Sequence, residues 1–205
     1  TYASKYPPAQ GVALAIGQRF FGYPIVGVWL SVALACAAIS WMLAGWCPLR
    51  WAAFGGLLAV GRLVFSYWSH SYWGGAVPAL GGAWVLGALP RILKYRRRRD
   101  ALAMAGGLIL LANSRPWEGF WIALAVLAAL ILGIRQTAKR AGPFPFRRLA
   151  VPSLALLLGA GGAMLYYNFR ITGHPFQMPY QVHESTYGVA PVFLWQPLKP
   201  APAYR

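Results

Sequence analysis

The sequence predicts an all-α fold, a polytopic bundle of about six transmembrane helices with a short interfacial helix. Of the 205 residues, 59% are hydrophobic and only three are acidic, against 19 Lys plus Arg, which excludes a disordered chain. The basic residues lie between long apolar runs rather than among polar residues. This arrangement is typical of a protein embedded in a lipid bilayer and predicts no nucleic-acid partner.

The apolar runs locate the predicted membrane segments. The clearest run is 24–46, where 23 positions without a charge are enough, at about 1.5 Å per residue, to cross a hydrocarbon core of about 30 Å. Comparable runs follow at 51–69, 71–90, 119–134 and 149–169. A sixth run, 101–113, has only 13 residues, whereas an independent span needs about 20.

The distribution of basic residues among the loops indicates whether the run 101–113 crosses the membrane. If it does, the loops 47–50, 91–100 and 135–148 share one face, and they hold 12 basic residues in 28 positions. On the opposite face, residues 1–23, 70 and 170–205 then hold five basic residues. Lys and Arg accumulate in short cytoplasmic loops, so the sequence predicts six spans with both chain ends on the external side.

The chain divides into three predicted regions. Residues 1–23 end an external loop and contain an interfacial helix at 9–21, since thirteen residues are too few to cross. Residues 24–169 form the bundle, and 170–205 form an external Pro-rich segment. The start at Thr1 and the stop after a Pro-rich stretch are expected to be cuts within a longer protein.

Several polar side chains are candidates for chemistry. Charges within a membrane are costly, which makes Arg62, inside a predicted span, a candidate for binding an anion. Arg115 lies at a predicted external turn, three residues before Glu118, and His70 lies near another external turn. The histidines lack metal-ligand spacing, so no cofactor is predicted, although a divalent metal is left open. Nucleophile-elbow, Walker and zinc-protease motifs are absent from the sequence.

Two segments resemble a family of membrane glycosyltransferases. They are SKYPPAQGVALAIGQRFFGYPIVGVWL, which begins at Ser4, and RRRRDALAMAGGLILLANSRPWEGFWIALAVLAALIL, which begins at Arg96. Both are similar to segments of GT-C class enzymes of family 39, relatives of protein mannosyltransferases and aminoarabinose transferases. In that family a Lys-Pro-Pro-like motif ends the first external loop, before a short juxtamembrane helix. The resemblance covers about residues 2–170.

The resemblance implies a function and a location. Such enzymes use a polyprenyl-phosphate-linked sugar as donor and work on the periplasmic face of the bacterial inner membrane. Lys5, with Tyr6 beside it, matches a position near the donor phosphate, where a cation would stabilise charge on the leaving group. The family's catalytic base lies in a loop that would precede Thr1, so the catalytic residue is unknown and this chain alone is expected to be inactive.

Two other functions are compatible with the residues. A transporter or flippase for a lipid-linked or anionic substrate would use Arg62 and Arg115 to clamp the substrate. A non-catalytic membrane scaffold would need none of the polar residues. For the enzyme, we expect a lipid phosphate to sit in one externally open cavity. The residues expected to converge on it are Lys5, Arg62, His70, Arg115 and Glu118.

Overall fold

The structure, a computed structural model, describes residues 4–141 and 143–189 together with residues 195 and 197. Within these residues there is no β-strand, so the predicted all-α fold is confirmed. The eight α-helices are α1 (Pro8–Phe21), α2 (Pro24–Trp46), α3 (Leu49–Val64), α4 (Ala76–Tyr95), α5 (Arg98–Ala112), α6 (Pro116–Ala141), α7 (Phe146–Thr172) and α8 (Pro179–Tyr187). A 3-10 turn, Tyr67–Ser69, lies between α3 and α4.

In the part of the chain that the structure describes, four helices are long and apolar enough to cross a membrane, namely α2, α4, α6 and α7. The bounds of α2 are those that the sequence predicts. The helices α3 and α5 have 16 and 15 residues, or about 24 and 22 Å of length, which is less than a hydrocarbon core of about 30 Å. Six membrane segments therefore stay a prediction.

Prolines and glycines set several helix ends. Pro24 occupies the first turn of α2, where its missing N–H costs nothing and its fixed φ suits a helix. Gly22 ends α1 with a φ of 79°, a left-handed conformation that glycine adopts readily. The predicted helix at 9–21 is thus a separate element from α2. Gly173 ends α7 in the same way, with a φ of 78°.

The described residues belong to two compact units, Pro8–Ala160 and the pair Thr1–Pro7 with Gly161–Arg205. In the second unit, Asn168 donates a hydrogen bond to the carbonyl oxygen of Pro175 at 3.2 Å, which closes the turn after α7. The backbone N–H of Met178 donates to Gln181 at 2.9 Å and caps α8. This short helix lies in the segment 170–205, for which no helix was predicted.

Within the first unit, successive helices run in alternating directions. The start of α4 and the end of α5 lie at one end of the bundle, because Gly81 packs against Gly107. At the other end the C-terminal half of α4 meets the C-terminal half of α2, where the Trp46 indole donates to the carbonyl oxygen of Leu86 at 3.0 Å. We call this the basic end, since it carries the α4–α5 junction, Arg96–Arg97.

Contacts of α6 and α7 agree with this alternation. Gly119, near the start of α6, packs against Leu111 at the end of α5, and Gly133 packs against Leu93 near the end of α4. Arg96 donates to the carbonyl oxygen of Pro143, just before α7, at 3.2 Å. The basic loops predicted to share one face therefore lie at one end of the bundle.

The helix α1 lies at the opposite end. The backbone N–H of Ala9 donates to the carbonyl oxygen of Asn113 at 2.9 Å, and the Gln10 side chain donates to the carbonyl oxygen of Tyr72 at 3.1 Å. Its later turns pack on the first turns of α2, where Gly17 and Gly27 bring the two backbones together. A helix that crosses the end of a bundle in this way suits the predicted interfacial position.

The predicted loop 91–100 is wrong except at Arg96 and Arg97, because residues 91–95 belong to α4 and residues 98–100 belong to α5. Arg91 and Lys94 lie within α4, which continues to Tyr95. The physical reason is that the Arg91 guanidinium donates to two helix carbonyl oxygens, those of Gly87 and Trp41, each at 2.7 Å. These bonds satisfy the charged group inside the bundle, so the helix does not have to end before it.

Candidate functional site

An apolar groove of about 840 Å³ runs between α2 and α3 in the first unit. On α2 its lining extends from Trp29 to Ser40, about 16 Å along the helix axis. Five of its lining residues are small: Ala33, Cys36, Ala37, Ala53 and Gly56. Ser40 donates its hydroxyl to the carbonyl oxygen of Cys36 at 3.0 Å, so this wall offers few polar atoms to a ligand. The groove suits a hydrocarbon chain.

Polar residues line the end of the groove opposite the basic end, which we call its mouth. Ser69 and His70 line it, and the indole N–H of Trp29 donates to the carbonyl oxygen of Ser69 at 3.1 Å. This bond ties the 3-10 turn to α2. Ser69 is buried, and its hydroxyl donates to the carbonyl oxygen of Val64 at 2.5 Å. The turn is therefore held firmly at the end of α3.

The hydrogen bonds of His70 determine which ring nitrogen is available to a ligand. Its Nδ1 lies 3.0 Å from the carbonyl oxygen of Ser66 and 2.8 Å from the hydroxyl of Ser69. Because a carbonyl oxygen can only accept, Nδ1 must carry a proton to make the first bond. In the neutral ring Nε2 then accepts a proton, and in the charged ring it donates to an anion. His70 is exposed at this position.

The lining of the groove does not include the other predicted residues of the first unit. Arg62 is exposed in the last turn of α3, and the groove lining does not include it. Arg115 forms an ion pair with Glu118 at 3.1 Å, and both side chains are about half exposed. Glu118 also lies in the first turn of α6, where a negative charge is favourable. This pair is local to one turn, and such pairs contribute little to stability.

Lys5 and Tyr6 belong to the second unit. The ammonium of Lys5 lies 5.3 Å from the centroid of the Tyr6 ring, a cation–π contact between two exposed side chains. The backbone N–H of Tyr6 donates to the hydroxyl of Ser4 at 3.2 Å. The convergence of Lys5 with the residues of the first unit stays a prediction.

Sequence analysis missed a charged cluster at the basic end. The Arg91 guanidinium lies 4.0 Å from the centroid of the Trp41 ring, while it also bonds to the Trp41 carbonyl oxygen. Asp100 is 4% exposed and lines the same pocket as Arg91. One signal could have revealed it, because Asp100 is the only acidic residue among the six basic ones of segment 91–100.

The described residues contain no group of three His, Cys, Asp or Glu side chains that could hold a metal ion. The arrangement at the groove can hold an apolar chain and present one imidazole to a polar group attached to it. Comparisons with protein-family models, curated proteins and solved structures found no match to this chain.

Proposed function

We propose that this chain is part of an integral membrane glycosyltransferase that moves a sugar from a polyprenyl-phosphate donor to an acceptor on the external face of a bacterial inner membrane. The observation that carries the proposal is the groove between α2 and α3, which is apolar along its length and has His70 in the lining of its mouth. A polyprenyl-phosphate sugar has matching chemistry, with a long hydrocarbon chain ending in a charged phosphate.

The direction of the groove supports the same proposal. Its mouth lies at the end of the bundle away from Arg96–Arg99. If the basic end is cytoplasmic, as the distribution of Lys and Arg in short loops favours, the mouth opens toward the external side. The family that the sequence resembles has its active site on that side.

The proposal assigns roles to the predicted residues. Charged His70 would donate from Nε2 to the donor phosphate, whose negative charge grows as the sugar leaves. The cations Lys5, Arg62 and Arg115 would supply further positive charge, with Tyr6 and Glu118 as neighbours that orient them. The base that activates the acceptor hydroxyl would come from the part of the enzyme before Thr1.

Six membrane segments, α2–α7, are part of the proposal. The alternating contacts of α3 and α5 with their longer neighbours support a full crossing by each, and a locally thinner bilayer accommodates short spans at modest cost. Single cysteines in a variant without Cys36 and Cys47 test this. With an impermeant maleimide added outside intact cells, Ser114→Cys and Gln181→Cys are expected to label and Arg98→Cys to stay protected. The reverse pattern would overturn the topology.

Photo-crosslinking tests the function. A polyprenyl phosphate with a photoreactive group on its isoprenoid chain is expected to label peptides of α2 and α3 in membranes containing the chain. Leu57 lines the groove, so Leu57→Trp fills it and is expected to abolish labelling. Leu58 is similarly exposed but is not part of the lining, so Leu58→Trp is the matched control. Equal labelling of both variants would contradict the proposal.

Sugar transfer supplies the second test. In the full-length enzyme, Arg62→Ala and Arg115→Ala are each expected to lower donor use without lowering expression. His70→Ala is expected to act in the same direction, with His174→Ala as its control. Transfer of sugar by the present chain alone would disprove the assignment of the base to the region before Thr1.

A further inference from the structure

The basic end of the bundle carries a cleft of a different kind from the apolar groove. A cavity of about 560 Å³ is lined by Tyr95, the four consecutive residues Arg96–Arg99, and Arg148. A second pocket of about 360 Å³ adjoins it, since both are lined by Tyr95, Arg97 and Arg99. Asp100 and Arg91 belong to this smaller pocket. The two pockets form one cleft, which we call the arginine cleft.

The charge of the arginine cleft points to an anionic ligand. Five arginine residues line the larger pocket, and its lining contains no acidic residue. Like charges this close repel one another, and an anion between them reverses the sign of the interaction. Guanidinium groups bind phosphate through paired hydrogen bonds, which gives phosphate an advantage over a monovalent halide.

One residue that lines the arginine cleft, Arg96, has a strained backbone conformation. Arg96 has a φ of 53° and a ψ of 40°, the only left-handed non-glycine conformation among the described residues. Glycine is the usual residue after a helix in this conformation, because a Cβ is strained there. The Arg96 guanidinium donates to the carbonyl oxygen of Pro143 and lies 5.5 Å from the Phe144 ring. The strained turn thereby joins the α4–α5 junction to the start of α7, which carries Arg148.

The buried carboxylate of Asp100 sets a second requirement for the ligand, which is a hydrogen-bond donor. Asp100 is only 4% exposed, and its Oδ2 has no hydrogen-bond partner within the part of the chain that the structure describes. A buried acceptor without a donor is costly, so a ligand that supplies a donor is favoured. The surrounding arginines disfavour an ammonium group here. A neutral hydroxyl group meets both conditions.

The position of the cleft relative to the apolar helices identifies the source of the phosphate. Tyr95 is the last residue of α4, and Phe146 is the first residue of α7, both candidate membrane spans. Both side chains are exposed, at 47% and 67%. Aromatic rings at the ends of spanning helices lie at the level of the lipid headgroups, and basic pockets between such ends bind anionic headgroups.

We propose that the arginine cleft binds a phosphatidylglycerol headgroup, with Arg97, Arg98, Arg99 and Arg148 around the phosphate and the Oδ2 of Asp100 accepting a hydrogen bond from a glycerol hydroxyl. This proposal does not depend on the enzymatic function, since the cleft and the groove lie at opposite ends of the bundle.

Native mass spectrometry of the chain in a neutral detergent tests the proposal. The probes are phosphatidylglycerol, phosphatidic acid, which lacks the glycerol headgroup, and phosphatidylcholine, which is zwitterionic and has no hydroxyl donor. We expect phosphatidylglycerol to bind most tightly and phosphatidylcholine least. Arg97→Gln with Arg99→Gln is expected to weaken phosphatidylglycerol about 25-fold, at about fivefold for each cation near a headgroup.

A matched double variant shows whether lipid binding depends on the arginine cleft or only on the overall positive charge of the chain. Arg50→Gln with Arg135→Gln removes two exposed arginines outside the cleft lining, and it is expected to change binding by less than about twofold. Equal weakening in the two double variants would overturn the proposal. So would equal binding of phosphatidylglycerol and phosphatidylcholine, or displacement of the lipid by millimolar inorganic phosphate, which would indicate a site for a soluble anion.

The role of Asp100 is tested by a ratio of affinities. Asp100→Val removes the acceptor with little change in volume, and it is expected to abolish the preference for phosphatidylglycerol over phosphatidic acid. Retained binding of phosphatidic acid reports that the variant is folded. An unchanged preference would exclude the hydroxyl contact, and loss of both lipids with normal helical circular dichroism would assign Asp100 a purely structural role.

Discussion

The helices α4 and α6 are both long and apolar enough to span a membrane, yet they differ in how much of their surface is buried in the protein. In its most apolar stretch α4 is 56% buried inside the protein, whereas α6 is 11% buried, although α6 is the more hydrophobic of the two. Hydrophobicity therefore does not decide which helix lies inside the bundle. Lipid tails are as apolar as a leucine side chain, so another property must favour contact between helices.

Small residues distinguish the two helices. The buried face of α4 includes Gly81, Ala83, Gly87 and Ala88. At Gly81 its backbone approaches that of α5, since a Cβ there would lie 3.0 Å from the carbonyl oxygen of Gly107. The exposed surface of α6 carries large side chains such as Leu124, Leu127 and Leu132. Close backbone approach gives α4 dispersion contacts that α6 obtains from lipid instead.

The largest difference in stability between α4 and α6 is expected when an arginine is replaced. Arg91 of α4 makes two hydrogen bonds and stacks on Trp41, whereas Arg135 of α6 is exposed. Arg91→Ala is expected to lower the free energy of unfolding by about 3 kcal/mol, since both charged hydrogen bonds and the cation–π contact are lost. Denaturation by sodium dodecyl sulfate, followed by circular dichroism, measures it. Arg135→Ala is the control, and an equal effect there would remove the distinction.

The next largest difference in stability is expected for glycine substitutions. A Cβ on Gly107 would lie 2.6 Å from the carbonyl oxygen of Gly81, a backbone atom that cannot move aside cheaply. Gly107→Ala is expected to destabilise the chain by about 1–3 kcal/mol. Gly159 in α7 has open space around it, so Gly159→Ala is expected to stabilise by about 0.5–1 kcal/mol through helix propensity. The same denaturation assay applies, and effects of one sign in both variants would contradict the packing argument.

A smaller effect is expected at the mouth of the groove. Trp29→Phe removes the indole N–H that donates to the carbonyl oxygen of Ser69, with an expected loss of about 1 kcal/mol. Trp51 is exposed to a similar degree, and its ring packs edge-on against the Phe54 ring, with centroids 6.4 Å apart. Trp51→Phe is therefore the control. If the two variants unfold alike, the 3-10 turn is not held by α2.

The smallest effect is expected on the exposed surface of α6. Glu118→Gln breaks the ion pair with Arg115, and both groups are about half exposed, so stability is expected to change by less than about 0.5 kcal/mol. Stability measured in low and high salt checks this. A loss above about 1 kcal/mol that disappears at high salt would show that this pair matters as much as the interior contacts of α4.

Much of the fold, and one residue that lines the groove, could be predicted from the sequence. The bounds of α2 follow from its uncharged 23-residue run, and the start of α6 at Pro116 lies three residues before the predicted span. His70 was predicted and lines the mouth of the groove. The groove itself was not predicted, because its lining residues are ordinary apolar residues whose alignment depends on how α2 and α3 pack. Asp100 was missed for a similar reason, since its burial results from the packing of α5 against α4.

By itself the sequence determined that the chain is helical, that it contains long apolar helices able to enter a membrane, and that its arginines cluster between them. These properties depend on hydrophobicity, length and the spacing of charges along the chain, which are local. Only the tertiary structure decided which apolar helix is buried, where α1 crosses the bundle, and that Arg96–Arg99 and Arg148 line one cleft. Those properties depend on close approach between residues far apart in sequence. Such approach is governed by the shape of both partners, and no single segment of the chain specifies it.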